Sequence, residues 1–348
     1  MAHLLGLVAV ATLCLGLTLL WSIVAGPLGM MAHPGGRHGH RRATPRAGAG
    51  LIVGLGVAII ASGLPEGPII CAGLAVSLAL GLADDRWVLH AGAKLGGQVC
   101  AAAVPVIAGG LGPGSVSLPG LDVVDLSSAR APIWILAIVV VMNIINLIDG
   151  HDGLACGLVA IGAATMTCLT LVDGRPQDIL LPAILGAGAM SFLALNLPPA
   201  RIFLGDQGSL GLGYLLAVAA IVSSSKTGAA LGIAGATMAM LVPAADALAV
   251  AIHRLRQGKR IWTADRTHVH HRLLRRGADD WRVLWTCWAV ASCWGVFAVG
   301  LRVWPPESSG EIILAAMACL GLCAGSASSL GLSWRRSVPS HPIGIQNL

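Results

Sequence analysis

Asn143, Asn146, Asp149 and Asp152 stand three residues apart at the end of the uncharged apolar run APIWILAIVVVM. On a continuing helix the first three would share one face. Asp152 follows Gly150, where a helix is expected to break. Such a ladder of carboxamides and carboxylates supplies oxygen ligands for a hard cation and polar groups for a phosphorylated ligand. Bonding between helices would explain one or two of these residues, but not four.

Four more clusters carry chemistry. GLADDR (81–86) holds the adjacent carboxylates Asp84 and Asp85, which repel each other unless a cation lies near. Lys94, at the start of the next apolar run, is a candidate for that cation. In NLPPARIFLGDQGSLGLG (196–213), Asp206 sits between glycines at a turn into an apolar run. It either caps a helix or ligates a metal. Phe203, one of three phenylalanines, either stacks on a base or anchors a membrane interface. ADRTHVHHRLLRRG (264–277) packs His268, His270, His271 and Arg272 into five positions. No cysteine completes a zinc site there, and histidines interleaved with arginines suit a polyanion: a diphosphate, or anionic lipid headgroups. RATPRAGAG (42–50) offers arginines that fit either phosphate or a positive-inside anchor. Taken together, these groups are what metal-assisted phosphoryl transfer requires: oxygen ligands for the ion, cations for phosphate and a carboxylate to accept a proton.

The elements that position these groups follow from composition. Of 348 residues, 56% are hydrophobic and 11% charged, with mean hydropathy +0.81. Soluble domains are about 25% charged, so this chain is read as a polytopic membrane protein. Backbone in lipid must satisfy itself, and helix-length runs without alternation select an all-α bundle over a barrel. Eleven spans of about 17–25 residues are expected, at 4–25, 47–63, 67–83, 93–111, 131–148, 154–172, 179–197, 208–224, 229–252, 283–303 and 311–332. The basic loop HPGGRHGHRRATPR, placed inside, puts the N-terminus outside and the C-terminus in the cytoplasm. That alternation places 18 of the 22 Lys and Arg inside and leaves Arg130, Arg175, Lys226 and Arg302 outside. All five clusters then fall on the inner side. The stretch 112–130 reads as an outer turn or small hairpin. No linker or soluble domain is apparent, so 1–348 is taken as one membrane domain, with its motifs in 33–277 and two final spans in 283–332.

The nine cysteines are scattered through apolar runs, Cys319 and Cys323 included, and suit packing rather than disulfides. The first run lacks a basic leader and is read as a retained span. A transporter is the rival class, since charged residues between helices also mark ion pathways. Against it, the clusters lie at the inner boundary; only Asp246 falls within a span.

GLADDR, NIINLIDGHDGLACG, NLPPARIFLGDQGSL, VPAADAL and DRTHVHHRLL resemble, in order, the signature segments of the polyprenyl-phosphate N-acetylhexosamine-1-phosphate transferases. Eleven spans and the HVHHR form resemble the branch acting on UDP-GlcNAc. The phospho-MurNAc-pentapeptide transferases, the alternative, have ten spans and an all-His triplet. The resemblance implies transfer of HexNAc-1-phosphate, GlcNAc-1-phosphate first among them, from a UDP-sugar to undecaprenyl phosphate with release of UMP. This would be the first membrane step of cell-surface polysaccharide synthesis, in the bacterial inner membrane, with the site on the cytoplasmic face. It implies Mg²⁺, with Mn²⁺ as a substitute, bound by Asn146 and Asp206. Asp84 and Asp85 match the pair that activates the lipid phosphate. Asp149 and Asp152 match the segment near the nucleotide, and Phe203 a base-stacking position. His268, His270, His271 and Arg272 match the diphosphate loop, and Lys94 and Asn143 join the substrate contacts. The implied partners are the nucleotide-sugar, the polyprenyl phosphate and membrane lipid; a homodimer is compatible, and nucleic acid has no role. The sequence departs from the family at Ala49-Gly50, where two glycines are usual, and at His151, where an apolar residue is usual.

Overall fold

A computed structural model describes residues 2–33, 43–116, 124–225 and 279–304. Nine α-helices occupy these residues: α1 (Ala2–Val24), α2 (Gly48–Ala61), α3 (Gly67–Trp87), α4 (Ala91–Ala103), α5 (Arg130–Ile148), α6 (Leu154–Val172), α7 (Leu180–Asn196), α8 (Gly205–Ser225) and α9 (Asp280–Val303). Seven helical stretches are long and apolar enough to span a membrane, and α2 and α7 are shorter apolar helices. The protein is a polytopic helical membrane protein, as its composition requires. The nine helices coincide with nine of the expected spans. The spans expected at 229–252 and 311–332 lie outside the described residues, as do Asp246 and the His268–Arg272 cluster.

Burial orders the bundle. The α8 span, Gly205–Ser223, is 89% buried, whereas Leu4–Val24 of α1 is 11% buried. α8 is therefore the central post, packed on α3 and α5, with α2, α6 and α7 also touching it. The sole tyrosine, Tyr214, is fully buried on α8, and its hydroxyl donates to the Ile70 carbonyl of α3 at 2.9 Å. That bond gives the phenol a partner where lipid and packed side chains offer none.

Two boundaries differ from the sequence-based expectation. α3 runs past the expected end at 83 to Trp87, with Asp84 and Asp85 in its last turn, at the end of the span as the sequence suggests. α4 starts at Ala91, after His90, whose Nδ1 accepts from the Ala93 amide at 3.2 Å. Past Ala103 the helix widens into a π-helical segment, Val104–Ala108, at Pro105, which lacks the N–H a regular turn needs. Two short hairpins close the connections. β1 (Met31–Ala32) pairs antiparallel with β2 (Thr44–Pro45), and β3 (Ser115–Val116) with β4 (Val124–Asp125). The second lies where the sequence suggested an outer hairpin.

Candidate functional site

The C-terminal ends of α3 and α5 meet the N-terminal ends of α4 and α8 at one end of the bundle. Lys94 stands at the centre. Its Nζ lies 2.7 Å from Asp84 Oδ2, 2.5 Å from Asp206 Oδ2 and 3.0 Å from Asn146 Oδ1. Asn146 Nδ2 donates to Asp206 Oδ1 at 2.7 Å and to Ser209 Oγ at 2.9 Å. Four helices thus contribute to one cluster of two carboxylates, a carboxamide and an ammonium.

Asp85 has a different environment. Its Oδ1 accepts from Arg46 Nη1 at 2.9 Å and its Oδ2 from the Gln207 amide at 3.0 Å. Gln207 Nε2 in turn donates to the Arg46 carbonyl at 2.8 Å. The pair of aspartates is tolerated because each has its own cation, Lys94 for Asp84 and Arg46 for Asp85. Close backbone approach makes this possible. A Cβ on Gly81 of α3 would come within 2.4 Å of Gln207 Cα and 2.5 Å of the Asp206 carbonyl. Gly205 has φ +67°, a conformation that favours glycine, and a Cβ there would meet Asp85 Oδ2 at 2.6 Å.

Around this centre lie the other expected site residues. α5 ends at Ile148, and Asp149 caps it, its amide donating to the Ile145 carbonyl at 3.2 Å before the chain turns. Among the described residues no hydrogen bond reaches its carboxylate. Burial, then the negative charges of Asp206, Asp85 and Asp152, push that carboxyl well above the usual range. Asp152 Oδ2 accepts from the Ala200 amide at 2.9 Å. Asn143 sits one turn deeper than Asn146. Its amide donates to Gln98 Oε1 at 2.8 Å and to the Val139 carbonyl at 2.8 Å, making a second rung between α4 and α5. Phe203 is half-buried, and its backbone pairs with the segment before α2: its amide donates to the Pro45 carbonyl and its carbonyl accepts from Ala47. The structure therefore gathers Asp84, Lys94, Asn146 and Asp206, sets Asp85 and Asp149 beside them, and places Asn143 in the helix interface.

Gln207 and Ser209 belong to this arrangement and carry no signal in the sequence; Arg46, from the loop read as a phosphate ligand or an anchor, joins them, as does Gln98. Gln98 lies one helical turn after Lys94, a spacing that signals a shared face. Nothing in the sequence joins Arg46 to Asp85, 39 positions away.

Among the described residues no group of three or more His, Cys, Asp or Glu is arranged to hold a metal ion. Mg²⁺ seldom uses such a cage; it takes one or two carboxylates and completes its shell with water and substrate phosphate. Asp206 and Asn146 fit that use. Their oxygens already converge on one positive charge, the Lys94 ammonium, and an oxygen-only donor set suits a hard cation.

A helical membrane bundle that gathers cations and oxygen ligands at one end, beside a carboxylate that no described residue bonds, has the equipment of a membrane enzyme acting on phosphorylated groups. Comparison with known proteins agrees. The chain belongs to glycosyl transferase family 4, whose model matches residues 68–224. It is 30% identical to the "Probable undecaprenyl-phosphate N-acetylglucosaminyl 1-phosphate transferase" of Bacillus subtilis, over 80% of this chain and 79% of the relative. It is 31% identical to the decaprenyl-phosphate N-acetylglucosaminephosphotransferase of Mycobacterium leprae, over 86% of this chain and 84% of the relative. The phospho-N-acetylmuramoyl-pentapeptide-transferase of Anoxybacillus flavithermus is 33% identical, over 54% of this chain and 57% of its own.

Proposed function

We propose that this protein transfers GlcNAc-1-phosphate from UDP-GlcNAc to undecaprenyl phosphate in the bacterial inner membrane. An oxygen of the lipid phosphate attacks the β-phosphorus of the UDP-sugar. A new P–O–P bond forms, and the bond from the β-phosphorus to the bridging oxygen breaks. UMP leaves with that electron pair, and the product is a polyprenyl-diphospho-sugar. The observation that carries the reading is the convergence of Asp84, Lys94, Asn146 and Asp206 at the end of an apolar bundle. There a lipid can arrive laterally and a nucleotide from water.

Each residue has a role in this reading. Asp206 and Asn146 hold Mg²⁺, for which Mn²⁺ substitutes. The ion, when bound, offsets charge on the diphosphate and polarises its oxygens. Lys94 moves with the phosphate charge it neutralises. Asp84 accepts hydrogen bonds or a proton from the lipid phosphate, and Asp85 keeps Arg46 and the start of α8 in place. Asp149 and Asp152 line the nucleotide side with Phe203. The basic inner loop carrying His268, His270, His271 and Arg272 contributes cations to the diphosphate. The site faces the cytoplasm, and the lipid-linked sugar starts a cell-surface polysaccharide.

GlcNAc is favoured because the relatives named for GlcNAc-phosphate transfer align over 75–86% of the chain, against 54% for the muramoyl-pentapeptide enzyme. The test is UMP release by the purified protein with undecaprenyl phosphate and a panel of UDP-sugars, UDP-MurNAc-pentapeptide included, with and without chelator. Metal-dependent UMP release with UDP-GlcNAc as best donor is expected. UMP release from another donor alone would reassign the sugar, and full turnover in excess chelator would remove the metal.

A further inference from the structure

His151 lies between Asp149 and Asp152, yet its imidazole bonds to a helix outside the Lys94 cluster. Its side chain is only 5% exposed. Nε2 lies 3.1 Å from the main-chain oxygen of Asp280, and Nδ1 lies 3.9 Å from Asp280 Oδ1. A carbonyl can only accept, so Nε2 carries the proton in the shorter contact. Asp280 is the first residue of α9. The helix start is itself fixed by Asp279, whose Oδ1 accepts from the Arg282 amide at 2.8 Å.

The opposite flank of the same turn is held by the connection between α7 and α8. The Gly153 amide donates to Asn196 Oδ1 at 3.0 Å, and Asn196 Nδ2 donates to the Ile202 carbonyl at 2.8 Å. The Ala200 amide donates to Asp152 Oδ2 at 2.9 Å. The turn therefore bridges two supports, and His151 makes the polar contact on the α9 side. Asp149 is tied to the end of α5 by its amide, which donates to the Ile145 carbonyl at 3.2 Å, but its carboxylate receives no hydrogen bond from the described residues, so the course of the turn beyond it rests on these two supports.

We propose that His151 is a positioning residue for donor binding: by bonding the foot of α9, it sets the 149–152 turn so that Asp149 and Asp152 meet the nucleotide-sugar. This rests on the nucleotide-sugar donor proposed above. The contact to the foot of α9 includes a hydrogen bond to a neutral carbonyl from a nearly buried side chain. Its loss is expected to change donor affinity about threefold to tenfold, without the larger losses that removal of a reacting group brings.

The test is steady-state kinetics with each substrate varied in turn, on the full chain in detergent. His151→Leu keeps an apolar body of similar reach and loses the donor. It should raise the donor KM about threefold to tenfold while kcat and the polyprenyl-phosphate KM stay within about twofold. His151→Gln and His151→Asn have the same polarity and differ in reach. Gln places an amide N–H near the position of Nε2 and should restore the donor KM; Asn is too short and should not. This contrast also survives if His151→Leu folds poorly. Equal donor KM values for the Gln and Asn variants, or a rise in both substrates' KM, would overturn the proposal while leaving the transfer reaction intact. A wild-type protein that releases no UMP from any UDP-sugar would overturn the proposed reaction, and this inference with it.

Discussion

Asp84 and Asp85 are adjacent in sequence and differ in circumstance. Asp84 shares Lys94 with Asp206, whereas Asp85 is spent on Arg46 and the first turn of α8. Asp84→Asn should therefore cut kcat by about 10²–10⁴, the worth of a general base, with little change in melting temperature. Asp85→Asn should destabilise the protein by about 1.5–3 kcal/mol, the worth of a hydrogen bond to a charged group, and lose activity as a consequence. Kinetics and thermal melts of the two variants check this; small, equal losses in both would contradict it. The need for a cation beside these carboxylates was legible from charge alone, and Lys94 was the right candidate for one of them. Arg46 was read as a phosphate ligand or an anchor because its partner is brought to it only by the fold. Asp149 presents the opposite case: among the described residues no cation bonds its carboxylate, and Arg46 acts on it only as the smallest of the charges that do. Its folded pKa is raised, so its ionisation opposes folding, and stability falls as pH rises above the unfolded value of about 3.9. Asp149→Asn should then melt higher than the wild type at pH 8 in chelator. The difference should shrink toward pH 4, and activity should fall. Identical melting curves across that range would contradict the assignment.

At the scale of elements, α8 is held against α3 by the absence of a side chain at Gly81. Gly81→Ala adds one methyl where backbone already lies, an overpacking that costs about 1–3 kcal/mol. It should also separate Asp84 from Asp206 and lower kcat more than either KM. An alanine variant with wild-type stability and turnover would show that the two helices are free to part. The helices themselves were readable, because a run of about 20 apolar residues in lipid has few alternatives to a helix. Their ends were less so. α3 runs past its expected end at 83 to Trp87, carrying Asp84 and Asp85 in its last turn. α5 gives way to a turn at Asp149, whose amide still donates to the Ile145 carbonyl. Helix ends are set by capping and by neighbours, such as Asn196 bonding Gly153, which act between segments distant in the chain.

Across the whole molecule, the bundle separates two kinds of polar group. One end carries the candidate site. Three basic residues expected on the opposite side, Arg130, Arg175 and Arg302, looked like exceptions to the charge rule, and the structure shows each of them engaged. Arg130 donates to the Gly110 carbonyl at 3.0 Å. Arg175 pairs with Asp173 at 2.9 Å and Asp178 at 3.0 Å and donates to the Ser223 carbonyl, and Arg302 also pairs with Asp173. This network ties the ends of α6, α8 and α9 to the segment entering α7. Arg175→Ala should destabilise the protein by about 1.5–3 kcal/mol, the worth of a hydrogen bond to a charged group, because Asp173 keeps Arg302. The donor KM of the folded fraction should be unchanged. A shifted KM with an unchanged melt would mean that the network reports to the site. The central claim is that the Lys94–Asp84–Asn146–Asp206 cluster carries out sugar-phosphate transfer, and Asp206 is its hinge, touching both Lys94 and Asn146. The most direct measurement is UMP release from UDP-GlcNAc and undecaprenyl phosphate by Asp206→Ala beside wild type, with matched folding verified by melting. A fall of at least about 10³-fold is expected, since both the proposed metal ligand and the cluster's shared acceptor are lost. Turnover within tenfold of wild type would place the reaction elsewhere.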